Sequence, residues 1–287
     1  MVKLIVGPHV KKLSTAKLQM EEAQDNGWGI IQTFPGNPRT YDTVVIGNVP
    51  RIRRDAASPL MVAHCSYPVF FVSKEETRQR CVLYIAALIE WCGWNGYTHI
   101  VIHLGMTKGL EASVVIEGAE KFWSENPRIK ELLRANGVKL LIENVAAAYE
   151  ANIKLHHLAE FVHRDPEILG WCLDLAHSNA AGVLYPKIDA LLERDLAPSI
   201  VHANYPGSPF GSGLDRHGWL YRKFPEDAAI HAASPENAVI HAAWMRTATR
   251  LFEAGLPFVL EGGSTEGSIE AEVLCYREVF REEAASN

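Results

Sequence analysis

The stretch VKLLIENVAAAYEANIKLHHLAEFVHRDPEILGWCLDLAH, residues 138–177, decides the fold. It opens on an apolar run, Val138–Glu143, that ends in a carboxylate. It closes on a second run, Ile168–Asp174, that ends the same way. Between them Ile153–His163 has the apolar spacing of a helix. Neither run alternates apolar with polar, as parallel strands buried on both faces require. The unit is therefore strand, helix, strand.

Working outward, the same unit recurs. Strands are predicted at Val2–Val6, Trp28–Thr33, Leu60–His64 and His99–His103 on one side, and at Ser199–His202 and Phe258–Glu261 on the other. Helices are predicted at Leu13–Asn26, Lys74–Cys92, Pro186–Arg194, Pro235–Ala254 and Glu266–Glu282. Ser73 ahead of Glu75 and Glu76 reads as an N-cap with an acidic first turn. Ser234-Pro235-Glu236 repeats that logic with proline at the first helical position. Eight strands, each followed by a helix, predict an α/β fold of the (β/α)8 TIM barrel type, one domain over residues 1–287. A doubly wound open sheet is the alternative, and the lack of a Gly-rich loop after the first strand weakens it. Asn204–Pro225, rich in Gly, Pro and Ser, reads as a long loop after the seventh strand.

The chain of 287 residues is 48% hydrophobic and 22% charged, as in globular proteins with a large core. Its five cysteines include no CxxC pair, which excludes a four-cysteine zinc site and fits reduced thiols. No run is long and apolar enough to span a membrane, and the N-terminus turns polar too early for a signal peptide. The expected location is the cytoplasm, or the nucleus in a eukaryote. The net charge of −6 lacks the basic footprint of a nucleic-acid binder. Divalent cations gathered in one cleft would supply that attraction locally.

The ends of six consecutive predicted strands carry the chemistry: His64, His103, Glu143, Asp174, His202 and Glu261. In a barrel all six face one cavity at the C-terminal end, where active sites lie. A lone histidine at a strand end is ordinarily structural, but six such groups in register are costly to bury without cations. A hydrogen-bonded polar mouth is the plain alternative. Three more residues extend the set. His177 lies just past the sixth strand, and Asp215 and His217 share one side of an extended loop segment. Five imidazoles and four carboxylates suit Zn²⁺, Mn²⁺ or Fe²⁺, whereas Mg²⁺ alone would prefer fewer imidazoles. Nine such groups suffice for three ions with an open position, able to activate water and clamp a phosphoryl group.

The motifs Gly7-Pro-His-Val10, His64-Cys-Ser-Tyr67, Ile102-His103, Leu141-Ile-Glu-Asn144, Cys172-Leu-Asp-Leu-Ala-His177, His202-Ala-Asn204, Asp215-Arg-His217 and Leu260-Glu261 resemble endonuclease IV. That is the trinuclear-zinc apurinic/apyrimidinic endonuclease family on a (β/α)8 barrel. The resemblance implies three zinc ions per chain. His64, His103 and Glu143 would hold the first. Glu143 would bridge to a second on Asp174, His202 and Glu261. His177, Asp215 and His217 would hold the third. It implies hydrolysis of the phosphodiester 5′ to an abasic site in damaged double-stranded DNA. The cut would leave a 3′-hydroxyl, using water activated by the metals, with Glu143 and Glu261 as catalytic residues. It also implies DNA contacts by Asn37, Arg39 and Tyr67. A monomer is the expected state, because nothing in the sequence demands an oligomer. The chain departs from the family pattern at Pro68, at Gly262-Gly263 and over Gly218–Phe224, positions that shape the groove rather than the metal sites.

Two other functions compete. A xylose-isomerase-like sugar isomerase or epimerase also gathers Glu, Asp, His and Glu at strand ends, around one or two metals. The surplus of His64, His103, His177, Asp215 and His217 separates the two. A catalytically silent metal-binding or DNA-binding module is the other.

Overall fold

The computed structural model describes residues 5–10, 16–35, 52, 54–55, 57–65, 75–103, 111–145, 154–206, 210–213, 217–218, 235–261 and 269–286. The elements run β1 (Val6–Val10), α1 (Ala16–Asp25), β2 (Ile30–Thr33), β3 (Leu60–Cys65), α2 (Glu75–Trp94), β4 (His99–Ile102), α3 (Ala112–Glu125) and α4 (Pro127–Asn136). They continue as β5 (Lys139–Glu143), α5 (Leu155–Val162), β6 (Leu169–Asp174), α6 (Leu175–Ala180), α7 (Tyr185–Glu193), β7 (Ile200–His202), β8 (Tyr205–Pro206) and β9 (His217–Gly218). The last are α8 (Pro235–Glu253), β10 (Phe258–Leu260) and α9 (Ile269–Ser286). Strands β1–β7 and β10 close a barrel, each parallel to its neighbours, with β10 against β1. β8 and β9 form a separate antiparallel pair. The fold is a (β/α)8 barrel, and the open-sheet alternative is excluded.

Side-chain alternation along parallel strands builds the interior in layers. One layer is apolar: Ile30, Val62, Val101, Leu141, Cys172, Ile200 and Val259, all fully buried, with Ile5 and Leu60 against them. Every one of these seven has a polar residue two positions further on: Gln32, His64, His103, Glu143, Asp174, His202 and Glu261. A two-residue step keeps the same face and moves up one layer. The register that seals the barrel floor therefore also aims the polar set into the mouth. The helices cover the outer faces, where the larger core cluster includes Trp171, Trp244, Tyr276 and Phe280.

The first strand departs from expectation. Its described part runs Val6–Val10, with Ile5 outside it, and residues 2–4 of the predicted Val2–Val6 lie outside the described residues. Gly7-Pro8 reads as a strand breaker, but close packing overrides that signal. A Cβ at Gly7 would lie 1.7 Å from the carbonyl oxygen of Ile30, so only glycine lets β1 approach β2 there. The shift adds His9 to the mouth. Helices α3, α4 and α6 also lay outside the sequence reading. Val114-Val115-Ile116 and Gly118 dilute the helical signal of α3. α4 carries clear boundaries, with Pro127 in its first turn and Gly137 as a left-handed C-cap at φ 62°. The five cysteines are free thiols, as expected. No helix among the described residues is long and apolar enough to cross a membrane.

Candidate metal centre

Seven of the nine residues predicted from the sequence have described side chains, and all seven meet at the C-terminal mouth. His64 lies near the end of β3, and Glu143, Asp174 and His202 end β5, β6 and β7. His103 and Glu261 each sit one residue beyond β4 and β10. His177 is in the short helix α6. Asp215 lies outside the described residues, as do Asn37, Arg39, Tyr67, Pro68 and Gly262. His217 opens β9, but its side chain is not described.

Glu143 is the hub. It is almost wholly buried. Its Oε2 lies 3.0 Å from Nε2 of His64 and 3.0 Å from Nε2 of His103. Its Oε1 lies 3.0 Å from Nδ1 of His202 and 3.3 Å from Nδ1 of His177. One carboxylate thus divides its two oxygens between two groups of imidazoles. His202 Nδ1 also lies 3.5 Å from Glu261 Oε2 and 3.7 Å from Asp174 Oδ2. Two sets of potential metal donors result, His64 with His103 and Glu143, and Glu143 with Asp174, His202 and Glu261. Within each set the donor atoms lie within 4.8 Å of one another. His64, His202 and Glu261 form a third such grouping.

The electrostatics demand positive charge at this point. Burial alone would raise the Glu143 and Glu261 carboxyls, yet His202 and its neighbours hold both well below the ordinary range. Burial alone would lower His202, but Cys172, Glu261 and Glu143 push it well above its usual value. His64 goes the other way, lowered chiefly by burial. Protons on imidazoles or a divalent cation can neutralise this cluster, and cation binding would displace those protons. An all-nitrogen-and-oxygen set with shared carboxylates fits zinc, manganese or iron.

Neighbouring residues hold these groups in place. Asp174 caps α6, its Oδ1 accepting from the His177 backbone N–H at 2.6 Å. This orients Oδ2 toward His202. Asn144, just after β5, accepts from the Asp174 N–H at 2.7 Å and donates to the Asp174 carbonyl at 3.0 Å. Asn204, two residues after His202, accepts from the Glu261 N–H at 2.7 Å and donates to Asp174 Oδ2 at 3.3 Å. The His177 Nδ1–H donates to the Asn144 carbonyl at 2.9 Å, making Nε2 its lone-pair nitrogen. Phe34 packs on His9 and His64, with ring centroids 4.5 Å and 5.1 Å away.

The sequence reading missed four residues here: His9, Gln32, Asn144 and Asn204. His9, Asn144 and Asn204 stand inside the family-like motifs without a role assigned to them. Gln32 could have been found by applying the strand-end rule to the second strand, where it is the inward residue two positions after Ile30. The predicted first strand ends at Val6, which leaves His9 out of the mouth.

A closed parallel barrel with a His, Asp and Glu cluster at its C-terminal mouth defines a TIM-barrel protein whose mouth residues could hold metal ions. The model of the xylose isomerase-like TIM barrel family matches residues 20–223, and the chain belongs to that family. Within it, the resemblance to endonuclease IV holds. A protein of Natranaerobius thermophilus described as a probable endonuclease 4 is 25% identical over 236 residues, which cover 74% of this chain and 80% of that protein. Endonuclease IV of Thermus thermophilus superposes with a TM-score of 0.65 at 24% identity, covering 97% of this chain and 99% of that one. An L-ribulose 3-epimerase shares the fold with a TM-score of 0.61 at 13% identity, covering 97% of this chain and 95% of that one.

Proposed function

We propose that this chain is a metal-dependent DNA repair endonuclease that hydrolyses the phosphodiester 5′ to an abasic site and leaves a 3′-hydroxyl. The observation that carries the reading is the division of Glu143 between the His64–His103 pair and His202. That arrangement would let one carboxylate serve two cations, and two-cation sites clamp the attacking and leaving oxygens of an in-line displacement.

In this reading His64, His103 and Glu143 hold one zinc ion, and Glu143, Asp174, His202 and Glu261 hold a second. His177, Asp215 and His217 hold a third, with Mn²⁺ or Fe²⁺ able to replace zinc at the oxygen-rich positions. Bound zinc supplies Lewis acidity that makes water nucleophilic near neutral pH and offsets phosphate charge. The chain's own residues do the rest. Glu143 and Glu261, their charges preserved by surrounding imidazoles, position and activate the attacking water beside the scissile phosphate. Asn144 and Asn204 hold Asp174 and Glu261 at fixed depth, so the donor set needs little rearrangement. Arg39, Asn37 and Tyr67 engage the damaged duplex, and the protein acts as a cytoplasmic monomer.

The second reading is a sugar epimerase, favoured by the epimerase neighbour and by a four-residue group that would serve one metal. His64 and His103 argue against it, because they place further imidazole donors on the same Glu143. The test is incision of a synthetic abasic duplex by the zinc-loaded protein, with undamaged duplex and single strand as controls. A nick 5′ to the site with a 3′-hydroxyl supports the endonuclease. No incision alongside epimerisation of a ketose overturns it. Glu261→Gln should fold normally and lose incision.

A further inference from the structure

Gln32 and His9 touch the donor set without belonging to it. The inference here rests on the metal reading above. Gln32 is fully buried at the mouth end of β2. Its Nε2 lies 2.7 Å from Glu261 Oε1, and its Oε1 lies 3.0 Å from His202 Nε2. Only one orientation of the amide satisfies both neighbours. A carboxylate accepts and cannot donate, so the amide NH₂ must face Glu261. The amide oxygen then faces His202, which must carry a proton on Nε2. The neutral ring therefore keeps its lone pair on Nδ1, the nitrogen that looks toward Glu143, Glu261 and Asp174.

His9 completes the arrangement. Its Nδ1 lies 2.8 Å from the same Glu261 Oε1. Among the described residues His9 Nε2 is buried with no hydrogen-bond partner, which puts the proton on Nδ1, where it can be donated. Two donors thus converge on Glu261 Oε1, and Oε2 is the oxygen turned toward His202 Nδ1.

We infer that Gln32, assisted by His9, is a positioning residue that selects the metal-facing nitrogen of His202 and the metal-facing oxygen of Glu261. Neither side chain binds the ion in this assignment. A partner on the far nitrogen of a ligating histidine fixes its tautomer and ring orientation, and losing such a partner weakens metal binding about 10- to 100-fold.

The experiment measures zinc affinity by chelator competition, with the Co²⁺-substituted absorption spectrum and long-range ¹⁵N–¹H correlations of labelled histidine, on the whole chain. Gln32→Leu keeps the side-chain volume and removes both hydrogen bonds. It should lower the affinity of the ion on His202 by about 10- to 100-fold. It should also alter the cobalt spectrum and lose the single Nδ1-bound signature of His202. His9→Ala should lower affinity less and leave the His202 signature intact. Gln32→Asn, the milder change should Gln32→Leu not fold, should fall between wild type and Gln32→Leu. Affinity within twofold of wild type, with His202 still bound through Nδ1 in Gln32→Leu or in Gln32→Asn, would overturn the inference. A wild-type chain that takes up no zinc would overturn the inference and the metal reading together. Zinc uptake that depends on Gln32 but brings no incision of abasic DNA would sustain the inference and sink only the endonuclease.

Discussion

Strand β4 presents a histidine at each end of one face. His99 opens it at the floor of the barrel, Val101 sits in the apolar layer, and His103 follows it at the mouth. The two rings meet opposite surroundings. His99 is partly buried, and burial, Lys139 and Arg54 together lower it to about 4, so it is neutral at about pH 7. Its Nδ1 is engaged by the Thr98 hydroxyl at 2.8 Å. His103 instead turns Nε2 to the Glu143 carboxylate at 3.0 Å. One strand thus separates a cation-flanked floor, where the histidine is held neutral, from an anionic mouth, where histidines converge on shared carboxylates. Residue type alone therefore does not single out the candidate metal centre; the sign of the neighbouring charge distinguishes the two ends of the strand.

The comparison can be broken most sharply at the mouth. Glu143→Gln should reduce incision to the background rate and remove zinc from both positions it would bridge, while the chain still folds. Elemental analysis and the incision assay check this. Retained zinc would deny Glu143 its bridging role. At the layer below, Leu141→Ala should cost about 2–5 kcal/mol of stability by leaving a cavity in the apolar layer of the barrel. The folded fraction should still bind zinc. Denaturant titration with metal analysis would test that separation of stability from chemistry.

The floor supplies a pH prediction. His99 is depressed in the folded chain relative to an unfolded value near 6.5. The unfolded chain therefore binds the extra proton first as pH falls. The contribution of neutral His99 is complete above about pH 6.5 and is lost as pH drops toward 4, by up to about 3 kcal/mol. His99→Gln should flatten that part of the stability profile, and an unchanged slope would show that the ring is not held neutral. The smallest effect belongs to the exposed Arg80–Glu76 pair on α2. Arg80→Ala should change stability by less than about 1 kcal/mol.

Much of the mouth was legible because two signals coincide on strands β3–β7 and β10. Each carries a buried apolar residue and, two positions on, a metal-type donor, so pattern and chemistry confirm each other. Gln32 carries the same register, but glutamine is not a metal-type donor and drew no notice. His9 stands in a family-like motif but gained no role, because the predicted first strand ended at Val6; only the contact with Ile30 of another strand reveals why glycine stands at position 7. Long-range constraints of that kind leave no periodic trace. Asn144 and Asn204 were invisible for a related reason. Their partners are backbone groups on neighbouring strands, which are set by the closed topology and not by local sequence.

The central claim is that the strand ends at the barrel mouth assemble a cluster of bound metal ions around Glu143. Elemental analysis combined with native mass spectrometry of the zinc-equilibrated chain tests it most directly. The account predicts about three zinc ions per folded chain, with Glu143→Gln losing those on His64, His103 and His202. A wild-type chain that binds no zinc, or whose zinc content is indifferent to Glu143→Gln, would contradict it.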